Sequence, residues 1–185
     1  MDEEGGGLKN VILSLTGLPP SASSDESLSA ARSKTLVIDN RDCRFSPHAA
    51  AVVVGSTIEA LNSDTFLHTT HLYGDVEVNL ALPFQGSRSS RTVDTVGMIV
   101  VKCDVHGWMQ AFVRVDPHPF HAVSAADGSF RIDGLPAGDF VLEVWHERLG
   151  RQELPLAFES GKLRRIEIEY PASPQNGTGR GAWNQ

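Results

Sequence analysis

The chain has 185 residues, 41% hydrophobic and 21% charged, which suits a soluble globular protein with a sizeable core. Its 16 basic and 23 acidic residues leave a net charge of −7, which argues against a general nucleic-acid-binding surface. No apolar run approaches the roughly 18 residues of a membrane span. The opening Met1–Gly7 has neither the basic region nor the apolar stretch of a signal peptide. Cys43 and Cys103 are the two cysteines, too few for a disulfide framework, and the sequence leaves a single bridge between them open.

In chain order, short apolar or alternating runs predict strands at 11–15, 35–38, 51–54, 57–61, 98–101, 112–115, 129–132, 140–144 and 165–170. Gly, Pro, Asn or Asp bounds each of them, as in sandwich proteins. No segment carries a 3.6-residue period over ten residues, so the chain reads as all-β. Residues 18–34, rich in Ser, Ala, Pro and Asp, read as a linker. Residues 84–91 read as a polar, flexible loop and 172–185 as a disordered tail. Turn chemistry changes after Asp116-Pro117, with Ala126-Asp127-Gly128-Ser129 and Asp133-Gly134-Leu135-Pro136-Ala137-Gly138 as tight turns. That change separates a larger sandwich at 35–117 from a smaller one at 118–171.

The most informative segment is Cys103-Asp104-Val105-His106-Gly107-Trp108-Met109. It sets a thiolate, an imidazole and a thioether three residues apart on a short loop between two strands. Upstream, Leu61 to His71 places His68, Thr69 and His71 in a second loop just after a strand. Two imidazoles, one thiolate and a weak axial thioether are the donors of a blue-copper centre, whereas zinc prefers more thiolates or a fourth strong ligand. Each residue alone reads more readily as packing; together, on two adjoining loops, they point to a metal.

Residues 35–116 resemble a cupredoxin through Phe45-Ser46-Pro47, Gly55-Ser56-Thr57-Ile58, Asn62-Ser63-Asp64 and the Cys-x-x-His-x-x-Met loop, whose short spacing is amicyanin-like. The resemblance implies a Greek-key sandwich with one type 1 copper held by His68, Cys103, His106 and, axially, Met109. It also implies that Thr69 ties the two ligand loops together. Val105 and Gly107 stand where amicyanin-type loops carry prolines, which implies a less rigid loop. Trp108 reads equally as core or as part of an exposed docking patch. Cys43 and Phe45 read as one face of a strand, which leaves Cys43 as an extra ligand, a group behind the ligands, a disulfide partner of Cys103 or a buried free thiol. His48 reads as a surface or packing residue with metal contact as the lesser option. Of His68 and His71 only one is expected to face the metal, His68 being preferred, with a place behind it as the lesser option for His71.

Residues 122–147 resemble the carboxypeptidase-regulatory, transthyretin-like sandwich through Asp127-Gly128-Ser129-Phe130 and Gly134-Leu135-Pro136-Ala137-Gly138. The strand at 10–16 is similar to the first strand of that module, so 8–17 and 118–171 together would form it, with the cupredoxin inserted. Trp145, His146 and Glu147 read mostly as core. This combination resembles exported bacterial proteins of the methylamine-utilisation or plastocyanin-like kind, which implies a periplasmic or extracellular location and a redox partner protein. The leading expectation is a one-electron copper carrier. Copper storage or delivery, with Cys43 and His48 as added ligands, is the second reading, and a carbohydrate- or partner-binding sandwich without metal the third. The chain has neither a Gly-x-Ser-x-Gly elbow nor a His-Glu-x-x-His helix, so it is not expected to be an enzyme.

Overall fold

The structure, a computed structural model, describes residues 6–18, 25–74, 77–159 and 161–170. The predicted tail at 172–185 and part of the predicted linker lie outside them. The protein is all-β, with strands β1 (Ile12–Thr16), β2 (Thr35–Arg41), β3 (Arg44–Ser46), β4 (Ala49–Val53), β5 (Thr57–Asn62), β6 (His68–Tyr73) and β7 (Val78–Leu82). They are followed by β8 (Arg88–Thr92), β9 (Gly97–Lys102), β10 (Gln110–Asp116), β11 (His121–Val123), β12 (Gly138–His146) and β13 (Gly150–Phe158).

Three sheets stack. The first has the order β3-β2-β5-β8, the second β4-β10-β9-β6-β7 and the third β11-β1-β12-β13. Strict two-residue alternation drives the pairing: β5 and β6 bury every second side chain, so one face of each enters the core. Ile38, Phe45, Ile58, Leu72, Val101, Val113 and Val115 fill the space between the first two sheets, together with Cys103 and Met109. Each large aliphatic residue so buried contributes about 1.5–3 kcal/mol. The outer face of the second sheet meets the third through Ala49 and Phe112 against Ile12, Val123 and Trp145. The far face of the third sheet is covered by Phe130, Ile132, Ile166, Ile168 and Tyr170.

Several expectations change. The linker contains an α-helix, α1 (Asp25–Arg32), because eight residues suffice for two turns when tertiary contact holds them. Arg32 supplies that contact, donating from Nε to the Val54 carbonyl at 2.9 Å. The loop expected at 84–91 holds at 84–87, but 88–91 belong to β8, an exposed edge strand antiparallel to β5. Its polarity reflects the edge position, not flexibility. Conversely, 129–132 and 165–170 form no strand. Their alternating apolar side chains pack on the third sheet without joining a hydrogen-bonded ladder.

β10 and β12 are tied across the sheet boundary by charge. Arg114 reaches Asp116 and Glu143, both at 2.8 Å. His121 bonds the other oxygen of Asp116 at 3.1 Å, and Arg151 that of Glu143 at 2.7 Å. Asp116 is only 1% exposed. Burial would raise its pKa, but the bonds from His121 and Arg114 hold the carboxyl below the usual aspartate value.

Candidate metal centre

Antiparallel pairing brings the two ligand segments together. β6 pairs with β9, placing His71 opposite Lys102, and β9 turns through residues 103–109 into β10, with Gln110 opposite Lys102. His68 therefore starts β6 next to Cys103, which follows β9 directly. The His106 carbonyl accepts the Met109 N–H at 2.9 Å and closes the loop.

At this end of the sandwich His68 Nδ1 lies 3.8 Å from Cys103 Sγ, His106 Nδ1 lies 3.7 Å from the same sulfur, and the two nitrogens are 3.1 Å apart. His68 is fully buried, Cys103 is 3% exposed and Met109 2% exposed. Metal–nitrogen bonds of about 2.0 Å and metal–sulfur bonds of about 2.3 Å set donors roughly 3–4 Å apart, and all three separations fall in that range. The three donor atoms fit one metal ion as they stand. Met109 shares the buried cluster of Cys103.

The surroundings fix each donor. Asp64 Oδ2 accepts a hydrogen bond from His68 Nε2 at 2.9 Å, and because a carboxylate only accepts, the proton sits on Nε2 and the Nδ1 lone pair is free. Asp64 also accepts the Asp42 N–H at 2.9 Å and the Cys43 N–H at 3.1 Å. Burial works to raise the Asp64 pKa, yet the two amides and His68 hold it below the ordinary value. Asn62, fully buried, donates to the carbonyls of Phe66 and Leu82 and accepts the Asp64 N–H, which fixes the loop before His68. Asn40 does the same between sheets, donating to Leu61 O and Thr70 Oγ1. Cys103 Sγ accepts the Thr69 N–H at 3.4 Å, and Thr69 Oγ1 accepts the Asp104 N–H at 2.8 Å. Thr69 thus bridges the two ligand segments.

Of the other residues the sequence singled out, His71 falls elsewhere than expected and the rest keep one of the readings it offered. His68 and His71 are in a strand, not a loop, and an odd spacing in a strand sends them to opposite faces. His71 meets Asp104 at 3.1 Å and Glu77 at 3.2 Å and stacks on Tyr73, not behind His68. Cys43 packs against the same core as Phe45 but is not in a strand. It occupies the β2–β3 turn, where Asp42 and Cys43 both have φ of 52°, so alternation does not apply. Both cysteines are free thiols. His48 pairs with Glu147 at 2.7 Å and lies edge-on to Phe112, outside the donor set. Trp108 is 71% exposed and packs beside His106, donating to the Cys43 carbonyl at 3.2 Å. Phe66, 46% exposed, covers His68 and His106 from the other side. Phe66 is a site residue that sequence reasoning did not single out, and Asp64 entered there only as part of the Asn62-Ser63-Asp64 approach, without its role behind His68.

No family model matches the chain, and no curated protein does. Among solved structures it is similar to the copper-containing nitrite reductase of Thermus scotoductus SA-01, with 23% identity over 44% of this chain and a TM-score of 0.41. The chain spans 22% of the length of that reductase. It is also similar to a copper(I) form of an amicyanin variant, at 18% identity and TM-score 0.41, over 56% of this chain and 98% of that one. An oxidised amicyanin variant gives 22% identity and TM-score 0.40 over the same shares. Likeness at this level transfers neither ligand nor activity. Among the described residues no helix is long and apolar enough to cross a membrane.

Proposed function

We propose that the protein is a one-electron carrier with a single type 1 copper that His68, Cys103, His106 and Met109 would hold. The observation that supports this most is the mutual spacing of the two Nδ1 atoms and the Cys103 sulfur, with His68 and Cys103 out of solvent. Two imidazoles with one thiolate and a thioether favour copper over zinc or a hard cation. When bound, copper supplies the chemistry by alternating between Cu(II) and Cu(I).

The chain's own residues keep that change small. Asp64 holds the His68 ring in one tautomer and orientation, and Asn40 and Asn62 anchor the strands behind it. The Thr69 amide directs its N–H at Cys103, stabilising negative charge on sulfur. His106 is the ligand nearest solvent, and the exposed Phe66, Val105 and Trp108 form an apolar rim around it. That rim suits brief contact with a redox partner, whereas a catalyst would need a substrate pocket at the metal. The periplasmic or extracellular location belongs to the same reading.

The test is voltammetry of protein loaded with one equivalent of copper. A reversible one-electron couple, with copper retained over repeated cycles, is the expected result. Loss of Cu(I) to a chelator on reduction would overturn the carrier reading and favour storage or delivery.

A further inference from the structure

His68 has a second edge, and it faces a second donor set. Donor atoms of Cys43, Asp64 and His68 all lie within 4.8 Å of one another. Nε2 of His68 is 2.9 Å from Asp64 Oδ2, on the opposite side of the ring from Cys103 and His106. We propose that Cys43, Asp64 and His68 Nε2 form an outer metal site for a borderline divalent ion of the zinc class, and that it competes with the inner donors for His68.

The donor chemistry fits. Thiolate, carboxylate and imidazole are all zinc ligands, and three protein ligands leave a fourth position for water. Of the three donors, Asp64 reaches the surface. Asp64 lines a shallow depression of about 400 Å³ together with Arg41, Asp42, Ser63 and Gln85. The nearby cation, Arg41, is paired with Asp39 at 3.1 Å. Cys43 is half-buried and packs against the core that also holds Cys103 and Met109.

Competition follows from the lone pairs of imidazole. A neutral ring carries one proton and one free lone pair. With the proton on Nε2 and donated to Asp64, Nδ1 serves Cys103 and His106. With the proton on Nδ1, the His106 nitrogen 3.1 Å away can accept it, and Nε2 turns its lone pair toward Asp64 and Cys43. A cation there answers the lone pair, the carboxylate and the thiolate at once, and the Cys43 proton leaves to solvent. His68 therefore serves one site at a time.

The competition rests on the inner metal reading, whereas the outer site itself does not, and its test removes the inner thiolate. Cys103→Ser protein is titrated with Co(II), a spectroscopic stand-in for zinc. The expected result is one Co(II) per chain with a near-ultraviolet thiolate-to-cobalt band, which only Cys43 can supply. In Cys43→Ser/Cys103→Ser protein the band is expected to vanish and the apparent Kd to rise at least about tenfold. A Cys103→Ser protein without the band, or a double variant that binds Co(II) unchanged, would overturn the outer site. Cys103→Ala gives the same readout should the serine variant fold poorly. Failure of the copper reading would show instead in the native protein, as a missing Cys103–Cu(II) band.

Discussion

Cys103→Ser is expected to abolish the intense visible absorption of the Cu(II)-loaded protein and to leave the fold standing. The band requires a sulfur–copper bond, and a serine oxygen cannot supply its charge transfer. The remaining imidazoles would still hold Cu(II), but as an ordinary nitrogen–oxygen site with weak absorption. Removing a partner that only orients a ligand lowers metal affinity about 10- to 100-fold, so losing the thiolate itself should lower it further. The fold should survive because a hydroxyl at this position has partners: the Thr69 N–H that now reaches the sulfur and the two facing imidazole nitrogens. The change in stability is expected to stay within about 1–2 kcal/mol. Copper competition with a chelator, absorption and thermal melting check the three parts. A variant that keeps the native band would remove Cys103 from the ligand set.

Arg114→Met is expected to cost about 3 kcal/mol, the low end for breaking a buried pair, because it takes one of two partners from each of two buried carboxylates. At roughly 2–4 °C per kcal/mol for a chain of this size, the melting temperature should fall by about 10 °C. Asp116 keeps His121 and Glu143 keeps Arg151, so the loss is partial. The pH dependence has a definite sign. In the native protein the Asp116 pKa lies below its unfolded value of about 3.9, so its contribution is fully present above that pH and is lost as pH falls through the folded pKa. Without Arg114 a main cause of the lowering is gone, so Asp116 loses less stability on acidification, and the gap in melting temperature between native and variant protein should narrow at acid pH. Melting curves at neutral and acidic pH test both statements. A shift of only 1–2 °C at neutral pH would show that the network contributes little.

The donor set was readable because its chemistry and its topology coincide. Cys103, His106 and Met109 lie on one hairpin loop, and a thiolate, an imidazole and a thioether in that spacing have few common uses outside metal binding. His68 was harder, since nothing in its neighbourhood states that β6 pairs with β9. It became visible through its place just after a strand, the need for a second imidazole, and the Asn62-Ser63-Asp64 approach. His71 was misplaced because the segment was read as loop; in a strand its odd spacing from His68 points it to Asp104 and Glu77.

The remaining differences have a common physical origin. Side-chain alternation reports which face is buried, not whether the backbone joins a ladder. Phe130, Ile132, Ile166 and Ile168 alternate and are partly buried, yet pair with no strand. The β8 edge is nearly all polar and shows no alternation, yet it pairs with β5 along its length. Cys43 failed for a different reason. Two successive residues in the left-handed region invert the turn between β2 and β3, and Asp42-Cys43 carries no glycine or asparagine to announce it. That turn sends both amides to Asp64 and sets Cys43 beside the outer edge of His68.

The most direct measurement is the visible absorption and electron paramagnetic resonance spectrum of the purified protein after one equivalent of Cu(II). An intense thiolate-to-copper band with narrow copper hyperfine splitting is the predicted result, since the Cys103 sulfur and two imidazoles would then share one ion. Weak absorption with wide hyperfine splitting would contradict it, because copper would then be bound without Cys103.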